Sequence, residues 1–178
     1  MTRFIIETPR LKLIAADAAM LRAAMQGDQA IGSLLGVAVT NPWTENEERV
    51  FQFSLDKIIS HPDEAPWWTY FHVLKNEEVL TGTCGLKGKP DVTGAAEIGY
   101  EVAMQYRGRG LATEIAKALI GFAFTNADVK IVCAHTLPIE NASVKVLRNC
   151  GFQYAGESVD EDVGKVWRWE LPAEHFRL

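Results

Sequence analysis

The chain has 178 residues, of which 48% are apolar and 23% charged, and its formal net charge is −5. Those totals fit an ordinary soluble globular protein, so residues 1–178 are expected to form a single cytoplasmic domain. The negative balance argues against non-specific binding to nucleic acid or an anionic membrane; no apolar run reaches the ~18 residues of a spanning helix, and Met1 to Glu7 lacks a signal-peptide core.

Arg10 to Ala15 alternates apolar and polar positions and reads as a strand. Asp17 can cap a helix over Ala18 to Gln26, and a second short helix follows from Asp28. Thr44 and Glu47 form a T-x-x-E capping box before Val50, Phe51, Leu55, Ile58 and Ile59, a helical spacing that Pro62 stops. Three strand-like runs come next: Trp67 to Leu74, Val79 to Leu86 and Ala95 to Met104, separated by turns at Asn76 to Glu78 and Gly88 to Gly94. They read as an antiparallel meander.

The period then changes. Leu111, Ile115, Ala118, Leu119 and Phe122 share one helical face, and Val129 to Thr136 is a buried strand. Asn141 to Asn149 is a short helix ended by Gly151, and Ser158 to Gly164 is a loop between closing strands at Phe152 to Gly156 and Lys165 to Leu171. Hairpins at both ends with a strand–helix–strand crossover between them imply an α/β fold. It has a mixed, mostly antiparallel sheet with helices on its faces.

The most informative stretch is Gly99 to Thr113. A strand runs into the loop Arg107-Gly108-Arg109-Gly110, which opens directly into a helix. Glycines let such a loop turn its N–H groups inward, and the new helix adds free N–H groups and the positive end of its dipole. That is an anion site suited to a pyrophosphate, and the two arginines add local positive charge. The dinucleotide fingerprint G-x-G-x-x-G does not fit, because position 113 is Thr, and the nucleotide P-loop is absent. A plain glycine turn before a helix is the structural alternative.

A second segment, Ala134 to Phe152, contains Asn141-Ala142-Ser143 and ends in Gly151-Phe152. Taken together, the two segments resemble the GCN5-related N-acetyltransferases, the GNAT superfamily, and most closely its Rim-type branch of ribosomal-protein N-terminal acetyltransferases. Arg107-Gly-Arg-Gly110-Leu-Ala112 matches the [QR]-x-x-G-x-[GA] acetyl-CoA signature, and Asn141 with Gly151-Phe152 matches the asparagine helix. Thr8-Pro9-Arg10-Leu11 and Glu97 to Val102 are similar to the same branch, so the likeness runs from about residue 8 to 171.

The resemblance implies a splayed strand pair holding the acetyl-pantetheine arm, with its amides paired to backbone at Val102 and Met104. It implies the pyrophosphate on Gly108 to Thr113, with Arg107, Arg109, Gly110, Ala112 and Thr113 around it, and Asn141 on the pantetheine. In many relatives the asparagine stands three residues before the serine, where this chain has Glu140. Acetyl-CoA is the expected co-substrate and no metal is expected. The acceptor is an amine, on a protein N-terminus or a small molecule, used by a monomer or homodimer.

Attack on a thioester requires the amine to lose a proton, so a carboxylate is expected nearby. The resemblance makes Glu97 the first candidate, because it matches the glutamate that serves as base in some members of the superfamily. Glu101, four along the same strand and on the same face, is second, and a solvated strand face explains either one equally. A backbone N–H at Val102 or Ala103 is the expected oxyanion donor. The position of the tyrosine donor used by many relatives reads as Leu147, so Ser143 is expected to protonate the leaving thiolate. Cys133 and His135 read as core or slot lining, and Cys84, Cys133 and Cys150 as free thiols. Trp43, Trp67 and Trp68 line an acceptor pocket or form plain aromatic core. A non-catalytic CoA-binding domain on the same fold is the rival reading.

Overall fold

The computed structural model describes residues 3–45 and 48–176. Two antiparallel strands open the chain, β1 (Ile5–Glu7) and β2 (Leu11–Ala15). Helices α1 (Ala18–Gln26), α2 (Asp28–Leu35) and α3 (Glu48–Ser60) follow, with the two-residue strand β3 (Ala38–Val39) before the third. Asp17 caps α1 by accepting from the Met20 N–H at 2.8 Å. Glu47, the second half of the capping box expected before α3, lies outside the described residues.

The meander is β4 (Thr69–Leu74), β5 (Val79–Leu86) and β6 (Ala95–Val102). Helix α4 (Leu111–Ala123) then carries the chain to β7 (Ile131–Thr136), which pairs parallel to β6. Parallel neighbours need such a crossover, because a tight turn joins only antiparallel ones. Helix α5 (Ala142–Asn149) leads to the hairpin β8 (Gln153–Asp160) and β9 (Gly164–Pro172). The order across the sheet is β1-β2-β4-β5-β6-β7-β9-β8, and β3 joins β5 in parallel. This is the mixed, mostly antiparallel sheet with flanking helices that the sequence pattern implies.

Several boundaries differ from the sequence expectation. Trp67 belongs to a 3₁₀ segment, Pro62–Trp67, and β4 starts at Thr69. The strand expected to reach Met104 ends at Val102, where Met104–Tyr106 tightens into a 3₁₀ turn. Ser158 to Asp160, expected as loop, extends β8.

Cross-strand register assigns the two faces. Thr69 pairs with Gly85 and Gly85 with Gly99, while Phe71 pairs with Thr83 and Thr83 with Glu101. Glu97, Gly99 and Glu101 therefore share the face of Phe71, which packs with Met20, Leu21, Ile31, Phe51 and Leu55 of α1–α3. Tyr70, Ile98, Tyr100 and Val102 take the opposite face, against Leu111, Ile115 and Leu119 of α4 and Val144 and Leu147 of α5. Each such buried aliphatic side chain contributes ~1.5–3 kcal/mol, so the apolar stripe of α4 anchors the loop that precedes it.

Candidate active site

The sheet opens where β6 and β7 part. They pair only through Ala95↔Ile131, Ala96↔Val132 and Glu97↔Cys133, although β6 runs on to Val102 and β7 to Thr136. Beyond Glu97, β6 stays with β5 and β7 stays with β9, leaving a wedge between them. Unpaired backbone on a strand edge is a template for an added extended chain. The Ala103 N–H donates to the Thr81 carbonyl at 2.8 Å. By the alternation of an antiparallel ladder, the Val102 N–H points the other way, into the wedge. Of the two oxyanion donors expected, Ala103 is thus already spent.

At the mouth of the wedge the chain turns through Gly108 and Gly110, with φ of +76° and +77°. Gly110 is the N-cap of α4, in a left-handed conformation that side-chain-bearing residues avoid, and no side chain caps the helix. The first-turn N–H groups therefore face outward beside the wedge.

The two arginines are less free than the sequence suggests. Arg107 Nε donates to the Val102 carbonyl and its Nη2 to Glu45, both at 2.8 Å. Arg109 donates to the Gln105 carbonyl at 3.2 Å, pairs with Glu77 at 3.4 Å, and lies 4.7 Å from the Tyr106 ring centroid. They brace the loop as well as charging it.

A third brace was invisible in the sequence. Arg10 Nε meets Glu114 at 2.6 Å, and Arg10 Nη1 donates to the Arg109 carbonyl at 2.7 Å. The Thr8 hydroxyl and the Arg10 N–H both donate to Glu114 Oε1, at 2.6 and 2.8 Å. Burial pushes the Glu114 carboxyl up, but those donors together outweigh it and hold the group below the usual carboxylate range. The Thr8-Pro9-Arg10-Leu11 motif is thereby a tie between the start of the chain and the first turn of α4.

Across the wedge, Asn141 Oδ1 accepts from the Val144 N–H at 3.0 Å, so Asn141 is the N-cap of α5. Glu140 is held by a bidentate pair with Arg148, both contacts at 2.8 Å. Ser143 is half-buried, and its carbonyl lies 3.5 Å from the Tyr100 hydroxyl. Burial, with Cys150 adding to it, pushes Tyr100 well above the usual phenol range. Tyr100 keeps its proton, and its hydroxyl lies at the first turn of α5 beside Ser143.

On the α1–α3 face, Glu97 Oε1 lies 2.5 Å from Lys87 Nζ and 3.0 Å from His135 Nδ1. Glu101 accepts from the Thr44 hydroxyl at 2.7 Å and from the Glu45 N–H. The Glu101 carbonyl accepts from His72 Nε2 at 2.8 Å, so Nδ1 is the acceptor that takes the Thr81 hydroxyl at 2.8 Å. Burial lowers His72 to about 4, against weaker upward pulls from backbone hydrogen bonds, so the ring is neutral. It crosses β5 over Gly82, where a Cβ would collide with the Glu101 carbonyl. Cys84, Cys133 and Cys150 are free thiols; burial raises all three, Cys133 to about 11, which makes them poor nucleophiles.

A cavity of about 250 Å³ lies against Thr83, Gly99, Tyr100 and Glu101. A second, of about 530 Å³, shares Val50, Trp68, Thr69, Leu86 and Lys87 with it and reaches Phe53 and Asp162. Of the three tryptophans, Trp43 and Trp67 are core, and Trp68 lines both cavities. Trp68 Nε1 is a buried donor with no partner among the described residues.

The model of the acetyltransferase (GNAT) domain family matches residues 9–153. The chain belongs to the GNAT acetyltransferase domain family. The uncharacterized N-acetyltransferase p20 of Bacillus licheniformis is 31% identical over 93 residues, 52% of this chain and 52% of that protein, so the match spans about half of that relative. The uncharacterized N-acetyltransferase YjdG of Bacillus subtilis (strain 168) is 26% identical over 149 residues, 83% of this chain and 89% of that one. Among solved structures, the RimL ribosomal L7/L12 alpha-N-protein acetyltransferase in complex with coenzyme A superposes with a TM-score of 0.70. It is 18% identical, over 97% of this chain and 99% of that one. In this GNAT domain, Glu97 closes the β6–β7 pairing, Val102 ends β6 beyond it, Gly108 and Gly110 form the loop before α4, Asn141 and Ser143 open α5, and Glu101 lines the cavity adjoining the wedge. Met104, 67% exposed, lies outside it on the 3₁₀ turn. Among the described residues no group of acidic, histidine and cysteine side chains could hold a metal ion, and no helix is long and apolar enough to cross a membrane.

Proposed function

We propose that this chain transfers an acetyl group from acetyl-CoA to a primary amine by direct attack on the thioester. The observation that carries the reading is the wedge between β6 and β7 opening beside an uncapped helix N-terminus. The wedge suits an extended pantetheine arm paired to the backbone of β6, and the loop from Gly108 to Thr113 suits a pyrophosphate. Asn141, already an N-cap, has its amide NH₂ left for the pantetheine.

The amine enters from the α1–α3 face, where the smaller cavity meets Gly99 and Glu101. Its nitrogen attacks the carbonyl carbon, and the Val102 N–H supports the oxyanion. The proton leaves toward the Glu97 side of the sheet. The thiolate is a fair leaving group, with an ordinary thiol pKa of ~8.5, and takes a proton from Ser143, with the Tyr100 hydroxyl at the same corner.

The acceptor is an amine on an apolar body, either a protein N-terminus followed by a bulky residue or a small molecule. Val50, Phe53, Trp68 and Leu86 wall the approach. A second cation along it would meet the Lys87 ammonium, and Lys57 lies over the rings of Phe53 and Trp68 at 5.0 and 5.8 Å. Asp162 is already paired with Arg49 at 3.0 Å. Thiol release from acetyl-CoA tests this with alanyl-phenylalanine amide, 2-phenylethylamine and spermidine as acceptors. Release with either of the first two and little with spermidine supports it; acetyl-CoA binding with no release from any amine would remove the catalytic reading.

A further inference from the structure

We infer that His135 is the proton acceptor of the reaction, with Glu97 as its positioning partner. The inference rests on the acetyl-transfer reading and assigns a residue within it.

Three observations point to the imidazole. First, the β6–β7 pairing ends at Glu97↔Cys133, and His135 is the next residue of β7 on the same face. It is therefore the first β7 side chain on that face beyond the paired segment. Second, His135 Nδ1 lies 3.0 Å from Glu97 Oε1, and both side chains are about one-fifth exposed, His135 19% and Glu97 21%. A carboxylate at Nδ1 draws the ring proton to that nitrogen and leaves the Nε2 lone pair available. Nε2 has no partner among the described residues. Third, both carboxylates are otherwise engaged. Lys87 sits on the same Glu97 oxygen, and Glu101 holds the Thr44 hydroxyl and the Glu45 N–H of the segment before α3.

The chemistry favours the same choice. An imidazole is an intrinsically stronger base than a carboxylate and suits proton transfer near neutral pH. The groups around it tolerate an imidazolium. Arg168, its cross-strand neighbour, is paired with Glu170 at 2.7 Å, Lys87 is paired with Glu97, and Asp160 of β8 feels both Lys87 and His135. Cys133, on the same face, stays a neutral thiol.

In the step, the neutral amine forms the C–N bond while the carbonyl π pair moves to oxygen. The amine proton passes to His135 Nε2, giving an imidazolium steadied by Glu97. The oxyanion collapses, the C–S bond breaks, and the thiolate takes a proton. The imidazolium releases its own proton to water, and the products are the acetamide and the free thiol.

The test begins with imidazole NMR of the ligand-free protein, with His135 assigned by the loss of its signal in His135→Asn. Expected are Nδ1 protonated and Nε2 unprotonated in the neutral ring, and a midpoint that moves to lower pH in Glu97→Gln. A neutral ring protonated on Nε2, or a midpoint that Glu97→Gln leaves unmoved, would overturn the dyad. These readouts need neither acetyl-CoA nor an acceptor, so they can fail or succeed apart from the transfer reading. With 2-phenylethylamine as probe, His135→Asn should lower kcat by ~10²-fold or more, keep acetyl-CoA affinity, and abolish the acid limb of the pH–rate profile. An acid limb that persists in the variant would exclude His135 as the base.

Discussion

The two sides of the wedge are built from different materials. The donor side, from Val102 through the loop to α4, works with backbone: N–H groups, two left-handed glycines and a helix end. The acceptor side, from Trp68 across Gly99 to His135, works with side chains drawn from β4, β5, β6, β7 and α3. Backbone devices demand particular residues at fixed local spacing and leave a motif. Side-chain devices are assembled from residues far apart in sequence, so they leave none.

Gly99→Leu should separate the sides most sharply. A Cβ at Gly99 meets nothing within 4 Å, so the fold should survive, yet the added side chain fills the cavity beside Glu101. Turnover should fall ~10²-fold or more while acetyl-CoA affinity stays within ~3-fold. Equal loss of both would mean that the two sides are not independent.

The His72 contact lies beneath the acceptor side, and its signature is pH. The folded-state value of about 4 lies below the ordinary 6.5. The unfolded chain therefore binds the extra proton first. The stability that neutral His72 contributes is complete above pH ~6.5 and is lost as the pH falls toward ~4, by roughly 3 kcal/mol in all. Denaturant titrations at pH 7 and pH 4.5 should show the decline, and His72→Gln should flatten it. An identical decline in the variant would assign it to other groups.

On the donor side, Arg10→Ala removes the brace to Glu114 and the Arg109 carbonyl. Arg10 is 45% exposed, so the expected effect is smaller, a ~3- to 10-fold loss of acetyl-CoA affinity by calorimetry with acceptor KM unchanged. No change would reduce the Thr8-Pro9-Arg10-Leu11 motif to a strand entry.

What was legible follows the same division. The loop Arg107 to Gly110 and the helix after it could be read because glycine before an apolar stripe has few other uses. The strand end at Val102 could not, because Ala103 and Met104 continue an apolar run while the backbone tightens into a 3₁₀ turn. β8 beyond Gly156 was hidden because it is an edge strand with no fully buried residue, so its Ser-Val-Asp run looks like loop. Glu97 was reached through the family resemblance and Glu101 from its spacing along the same strand, but their partners were not. His135 lies 38 positions from Glu97, and only the parallel crossover through α4 brings them together. The Arg10–Glu114 tie, 104 positions apart, is of the same kind.

The most direct test of the account is calorimetric titration of acetyl-CoA into the wild-type chain and Gly110→Glu. The variant puts a carboxylate at the helix N-terminus and a side chain at a φ of +77°. The wild type should bind in the micromolar range, and the variant should lose at least ~10²-fold of that affinity. Wild-type protein that does not bind, or a variant that binds as well, would contradict the assignment of the loop and the wedge to acetyl-CoA.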